Sequence, residues 1–169
     1  RNIVFILYLS TMMIPITVRL IPSYNLCRNL NMLDTYMGMI LPQVAWSIPF
    51  GTFLMRQFYM GIPKQLDEAA KIDGANHFQI FWKILLPNTK SSMATLGIYT
   101  FISAWNNLIW MLLSVRSESK WTVTLGISSI CGASVIKQPT WNLIMGVIVI
   151  GMIPVLILFL HSRNILCSL

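Results

Sequence analysis

The 169-residue chain is 56% hydrophobic and only 10% charged, whereas globular domains carry about 25% charged residues. So few charged side chains cannot cover a soluble protein of this size, and the composition favours a protein embedded in a lipid bilayer. The net charge of +7 comes from basic residues scattered between uncharged runs instead of clustered on one stretch, which argues against nucleic-acid binding.

Four apolar runs are long enough to cross a membrane, since a hydrocarbon core of about 30 Å takes roughly 20 apolar residues. Backbone groups in lipid must find partners within their own segment, so these runs are expected to be helices. The predicted fold class is an all-α integral membrane protein, a polytopic helical bundle forming a single transmembrane domain over residues 1–169. The predicted transmembrane helices cover about residues 3–21, 35–55, 93–115 and 141–160.

The connections between these runs indicate the orientation of the chain. The connection 22–34 is short and polar, 56–90 is long and of mixed charge, and 116–140 is polar, with room for a partly buried helix. If 56–90 is cytoplasmic, seven of the twelve basic residues lie inside and five outside, as the positive-inside rule favours. The seven are Arg1, Arg56, Lys64, Lys71, Lys83, Lys90 and Arg163.

The long connection contains the segment 61–87, which reads GIPKQLDEAAKIDGANHFQIFWKILLP. Pro63 suits the first turn of a helix, and Gly74 can take the left-handed conformation that ends one. Asn76 can cap a second helix, and Pro87 is expected to close it. This second helix carries an apolar stripe that we expect to anchor the loop against the membrane helices, formed by Phe78, Phe81, Trp82 and Leu85.

Part of this segment has the spacing of a known signature: Glu68-Ala69-Ala70, three residues, Gly74, nine residues, Ile84, one residue, Leu86-Pro87. The pattern resembles the EAA signature of binding-protein-dependent ABC permeases, and its core EAAKIDGA is similar to that of the sugar and glycerol-3-phosphate uptake branch. In that family the loop forms the coupling helix, which sits in a groove of the cytoplasmic ATPase subunit. The resemblance therefore implies an ATPase-coupling role for Glu68, Ala69, Ala70, Asp73, Gly74, Ile84, Leu86 and Pro87.

The resemblance extends over most of the chain. The segment 30–59 resembles the family segment that leads into the signature, and Trp105-Asn106-Asn107 with Trp110 resembles its W-N-x-x-x-W-P pattern, with Met111 at the proline position. Residues 3–160 match the last four of the family's six helices. The implied fold is a partial ABC importer type-1 permease fold, and we expect the chain to be a fragment that lacks the first two helices.

The implied function is that of a permease subunit in the bacterial cytoplasmic (inner) membrane, moving a sugar or a glycerol-3-phosphate-like solute by alternating access. The implied partners are a second permease subunit, two ATPase subunits and an extracytoplasmic solute-binding protein. The chain contains no G-x-x-x-x-G-K-[ST] phosphate loop, so we expect no enzyme activity and no bound cofactor, with ATP and Mg²⁺ held by the partner ATPase. The isolated His77 and His161 and the three scattered cysteines predict no metal site.

Alternatives remain open at this stage. Trp105, Asn106 and Asn107 either line the translocation path or serve packing and interhelical hydrogen bonding. A channel or scaffold protein without ATPase coupling would not need Glu68, and a truncated permease would be inactive. An intramembrane enzyme is excluded because no acidic or basic residue lies in the middle of the four runs.

Overall fold

The computed structural model describes residues 2–136 and 141–167, and these residues form helices and turns with no strand. Arg1 and residues 137–140, which entered the predicted orientation and the third connection, lie outside the described residues. The helices are α1 (Asn2–Ser10), α2 (Ile16–Asn29), α3 (Tyr36–Gly61), α4 (Lys64–Ile72), α5 (His77–Ile80), α6 (Leu86–Asn88), α7 (Lys90–Trp105), α8 (Leu108–Ser114), α9 (Val123–Ile136) and α10 (Trp141–Cys167).

The predicted helix over 3–21 is divided in two. A 3₁₀ turn, Thr11–Met13, follows α1, and the axes of the two halves differ by 94°. Pro15 causes the break, because its ring disfavours helical geometry at the residue before it, and Ile14 is extended with ψ 118°. After this break, α2 extends from Ile16 to Asn29, well beyond the predicted end at residue 21.

The other three predicted helices correspond to long helical segments. The segment 35–55 lies within α3 almost entirely, and α3 continues to Gly61. The segment 93–115 becomes α7 and α8, bent by 53°, and 141–160 falls in α10. Among the described residues, two helices are long and apolar enough to cross a membrane, or up to four if each bent pair is one span. The predicted helix in the third connection is α9.

The buried core lies where α2, the start of α3, α8 and α9 meet. Trp110 is completely buried, its ring packs edge-on against Trp46 at 5.2 Å, and its Nε1 donates a hydrogen bond to the Gly38 carbonyl at 3.1 Å. Gly38 has no room for a side chain, because a Cβ there would lie 2.1 Å from the Met32 carbonyl oxygen. The same turn is closed by Thr35, whose hydroxyl accepts from the Gly38 N–H at 3.1 Å and so caps α3. The core therefore fixes the α3 entry against α8.

Asp34 ties together two connections that are about eighty residues apart. Its carboxylate accepts hydrogen bonds from the Ser117 hydroxyl and from the backbone N–H groups of Ser117 and Arg116, at 3.0 and 3.1 Å. The Lys120 ammonium lies 3.6 Å from the carboxylate and also donates to the Asp34 carbonyl. The hydrogen bonds from Ser117, with smaller contributions from Arg116 and Lys120, hold the pKa of the Asp34 carboxyl well below its usual range.

Asp34→Asn is expected to lower the thermal unfolding midpoint in detergent by about 2–4 °C at neutral pH. Asparagine tolerates the left-handed conformation of this position, where φ is 56°, so the variant mainly removes the charge. Because the pKa is lowered on folding, the stabilisation is fully present above the ordinary aspartate pKa of about 3.9 and is lost as the pH falls below it. The difference between the two proteins should be constant from about pH 5 to 8 and shrink below about pH 4.

Glu118→Gln provides the control for this prediction, since Glu118 is an exposed acid in the same connection. It should leave the midpoint unchanged. Equal losses for the two variants would mean that general surface charge is responsible, and the Asp34 interactions would then not stabilise the junction.

Candidate functional site

The segment with the signature spacing begins as α4, a nine-residue helix outside the long bundle helices. Pro63 is the residue that immediately precedes this helix (φ −58°, ψ 129°), one position earlier than the first-turn place predicted for it. On the exposed surface of α4, the Lys71 ammonium pairs with the Asp67 carboxylate at 2.5 Å across one helical turn, an arrangement that supports an isolated helix modestly. This pair stabilises the second half of the helix, whereas the N-terminal residue Pro63 provides no side-chain cap.

The end of α4 is a Schellman motif centred on Gly74. The Ala75 N–H donates to the Ala70 carbonyl at 2.9 Å, and the Gly74 N–H donates to the Lys71 carbonyl at 3.1 Å. Gly74 has φ +78°, the left-handed conformation that glycine adopts without strain. This confirms the predicted role of Gly74 as the residue that ends the helix.

A capping box starts the next helix, as predicted for Asn76. The Asn76 side chain accepts from the Gln79 N–H at 2.8 Å, and the Gln79 side chain accepts from the Asn76 N–H at 2.9 Å. The prediction that Pro87 closes this helix is wrong, because the helical path continues through a π segment, Phe81–Leu85, into α6 and ends at Asn88. The π turn lets the Leu86 N–H bond to the Phe81 carbonyl, so that the chain continues past a proline that has no N–H.

The apolar stripe predicted to anchor the loop is largely exposed. Phe78 is 72% exposed and Trp82 54%, whereas Ile80, which was not part of the predicted stripe, is 2% exposed. One member makes the expected kind of contact: the ring of Phe81 lies 6.5 Å from that of Tyr59 near the end of α3. Phe78 and Ile80 are two residues apart in α5 and therefore point to nearly opposite sides of the helix, so the first part of the predicted stripe was placed on the wrong face.

The signature residues divide into an exposed and a buried set. Ala70 is only 7% exposed, so its small side chain packs against its own chain. Ile84 and Leu86 are half-buried. An additional residue, Ile72, is 87% exposed at the end of α4 and was not singled out by sequence. The exposed set on the loop comprises Glu68, Ala69, Asp73, Gly74 and Pro87.

A cavity of about 1000 Å³ opens among α2, α3, α7 and α8. Asn106 and Asn107 line it, at the bend between α7 and α8, where the Asn107 side chain accepts from the Trp110 N–H at 3.3 Å and caps α8. Trp105 does not line the cavity. Its ring stacks on Phe101 at 5.5 Å, and its carbonyl accepts from the Thr124 hydroxyl, so the structure places two of the three predicted path residues together and the third in packing.

Two polar residues that sequence reasoning missed also line this cavity. Arg19 lies with its guanidinium carbon 5.8 Å from the centre of the Trp46 ring, and its Nε atom is buried without a hydrogen-bond partner. The side-chain Nε2 of Gln43 is likewise buried without a partner. A charged residue at the end of the first apolar run and a lone amide inside the second were signals that the intramembrane-polar rule would have found.

Comparisons with known proteins are consistent with this arrangement. Residues 1–166 match the family model of the binding-protein-dependent transport system inner membrane component. The sn-glycerol-3-phosphate transport system permease protein UgpE of Yersinia enterocolitica is 42% identical over 155 residues, which are 91% of this chain and 54% of that protein. UgpE of Pectobacterium atrosepticum is 38% identical over 164 residues, 97% of this chain and 57% of that protein.

Among solved structures, the chain resembles a crystal structure of a bacterial ABC transporter involved in the import of the acidic polysaccharide alginate. The TM-score is 0.76 at 27% sequence identity, over 97% of this chain and 61% of that one. The chain spans little more than half the length of the curated relatives it matches.

Proposed function

The chain belongs to the family of binding-protein-dependent transport system inner membrane components, and on that premise we propose that it acts in a permease subunit of an ATP-driven uptake transporter. The solute is a sugar or a glycerol-3-phosphate-like compound, in keeping with the relatives that carry the sn-glycerol-3-phosphate name. The membrane is the bacterial cytoplasmic membrane, with the loop between α3 and α7 on the cytoplasmic side. This orientation follows the excess of basic residues near that loop.

The observation that carries the proposal is the exposed surface of α4. Ile72 is 87% exposed in a segment rich in charged residues. Because such a segment lies outside the hydrocarbon core, lipid does not cover this aliphatic side chain. Ile72 follows Glu68 by four residues on α4, so the exposed aliphatic side chain and the carboxylate share one face of the helix. A basic groove of an ATPase subunit would satisfy both features, since Glu68 can accept charge-assisted hydrogen bonds there.

The proposed assembly contains a second permease subunit, two ATPase subunits and an extracytoplasmic solute-binding protein. ATP and Mg²⁺ bind to the ATPase subunits, and this chain contributes part of the translocation pathway and the loop that couples it to the ATPases. Alternating access then requires ATP to bind the closed arrangement of the ATPases better than the open one, because a ligand shifts an equilibrium only through differential affinity. The loop transmits that closure to the bundle through the contact of Phe81 with Tyr59 on α3.

Site-directed crosslinking of the loop to the ATPase subunit tests the proposal. In the full-length subunit with Cys27, Cys131 and Cys167 removed, Ala69→Cys is expected to form a crosslink with a cysteine in the ATPase groove, and ATP should change its yield. Ala70→Cys is the matched control, because the neighbouring position is buried by its own chain and should react much more weakly. The yields are read from gels of native membranes.

Two results would contradict the coupling role. The first is the absence of any crosslink from position 69 when the assembled ATPase is present. The second is a crosslink that ATP leaves unchanged. Either would favour a channel or scaffold that works without ATPase coupling.

A further inference from the structure

The cavity among α2, α3, α7 and α8 contains one charged side chain among the described residues that line it, Arg19. The guanidinium has no ion pair and no hydrogen bond in the described part of the chain, and its buried Nε has no partner. Its contact is with the face of Trp46, at 5.8 Å. Arg19 as a whole is half-buried, and a partly buried cation without an acceptor is costly. Charged groups within membrane bundles usually belong to a ligand or ion pathway.

A second donor without a partner faces the same space. Gln43 precedes Trp46 by three residues on α3, so the two side chains lie on one face of the helix, and both line the cavity. The Nε2 of Gln43 is buried and unpartnered. Across the cavity, Asn106 presents an exposed amide at the bend between α7 and α8. The polar side chains of the cavity thus offer donors around a single positive charge, with no carboxylate among the described lining residues.

We propose that Arg19 and Gln43 form the subsite for the oxyanion of a small hydroxylated solute, with Trp46 holding the plane of the guanidinium. A guanidinium binds two oxygens of a phosphate or carboxylate through parallel N–H groups, and the ring of Trp46 orients it by a cation–π contact. Asn106 then faces the hydroxyl groups of the solute. A cavity of about 1000 Å³ is large enough for such a compound. This assignment rests on the proposed transport function and adds the residues that recognise the solute.

The test uses the full-length subunit assembled with its partner permease, ATPase subunits and binding protein in proteoliposomes. The probes are radiolabelled sn-glycerol 3-phosphate, which carries a phosphate, and a uronate disaccharide, which carries a carboxylate. Arg19→Gln is expected to lower uptake of the transported probe at subsaturating concentration about tenfold or more. Binding-protein-stimulated ATP hydrolysis should stay within about twofold, since the subsite does not contact the coupling loop. The probe that the wild type transports shows whether the subsite binds a phosphate or a carboxylate.

Arg56→Gln is the matched control. Arg56 also lies over an aromatic ring, 4.1 Å from the centre of Phe5, but lines a different cavity. Its uptake should stay within about twofold of the wild type. Arg19→Lys keeps the charge but loses the two parallel N–H groups of the guanidinium. We therefore expect an intermediate loss of uptake of about threefold, seen in KM more than in kcat. This variant replaces Arg19→Gln if the latter does not assemble.

The possible failures are distinguishable. A wild-type transporter that moves neither anionic probe refutes the subsite, whereas the proposed function, which includes uptake of neutral sugars, is refuted by the absence of the ATPase crosslink at position 69. If the wild type transports while both Arg19 variants keep full uptake, only the subsite is refuted. A parallel loss of uptake and ATP hydrolysis in the Arg19 variants would assign Arg19 to bundle packing and overturn the proposal.

Discussion

Replacement of Trp110 by alanine is expected to destabilise the bundle by about 3–5 kcal/mol, the range for truncating a fully buried tryptophan. The ring is 0% exposed, packs edge-on against Trp46, and donates to the Gly38 carbonyl at 3.1 Å. A side chain at position 38 could not help to fill the space, because a Cβ there would lie 2.1 Å from the Met32 carbonyl oxygen. Thermal unfolding of the purified full-length subunit in detergent should show a midpoint lower by roughly 10 °C.

Two further variants separate the packing from the hydrogen bond. Trp110→Phe keeps most of the ring and removes the N–H, so we expect a smaller loss of about 1–2 kcal/mol. Trp82→Ala truncates a tryptophan that is 54% exposed and should change stability by about 0.5 kcal/mol or less. If Trp110→Ala costs no more than Trp82→Ala, the core does not lie at the junction of α3 and α8.

The loop between α3 and α7 was predictable because its structure is encoded locally. Gly74 and Asn76 lie within three residues of the helix ends they determine, and the physical reasons for those residue types act over one turn. The prediction fails at Pro87 for a different reason. The helical path continues through a π turn and past the proline, and nothing in the local sequence distinguishes that path from a helix that simply ends.

Contacts between polar groups that are far apart in the sequence could not be predicted from it. Asp34 meets Ser117 and Lys120 only because α2, α3 and α8 bring the two connections together. Arg19 faces the cavity because the break at Pro15 starts a new helix that carries it inward. In one straight helix over residues 3–21, Arg19 would lie close to the end of the span. The bend of 94° changes it into a residue of the bundle interior.

The helix α3 links the two candidate sites. Gln43 and Trp46 lie in its first half and Tyr59 near its end, and its 26 residues extend over roughly 39 Å. Because Tyr59 contacts Phe81 of the loop, displacement of the loop would act on the same helix that carries part of the cavity wall. The angle at which α4 leaves the loop should therefore matter for transport as much as the residues on its surface.

Gly74→Val is expected to reduce ATP-driven uptake about tenfold or more while the subunit still accumulates in the membrane. A Cβ at position 74 meets no atom within 4 Å, so lack of space at the Cβ is not the cause of the expected loss. The cost arises from φ +78°, a conformation that costs L-residues about 1–2 kcal/mol and β-branched residues more. About 1.4 kcal/mol already changes a conformational population tenfold, which would largely remove the Schellman geometry that presents α4 to the ATPase. Uptake in proteoliposomes and the amount of subunit on a membrane blot measure the two effects.

Gly74→Asn supplies the matched control, because asparagine is the residue other than glycine that commonly ends helices in the left-handed conformation. It should keep most of the uptake, although its side chain, like that of valine, is much larger than the hydrogen of glycine. The uptake of the two variants then separates the effect of backbone conformation from that of side-chain size. If glycine is needed for space at an ATPase contact, the asparagine variant loses uptake together with the valine variant. If both variants transport normally, the angle between α4 and α5 is not what couples the loop to the bundle. The coupling would then rest on the side chains of the exposed face alone, with Glu68 and Ile72 as the first positions to replace.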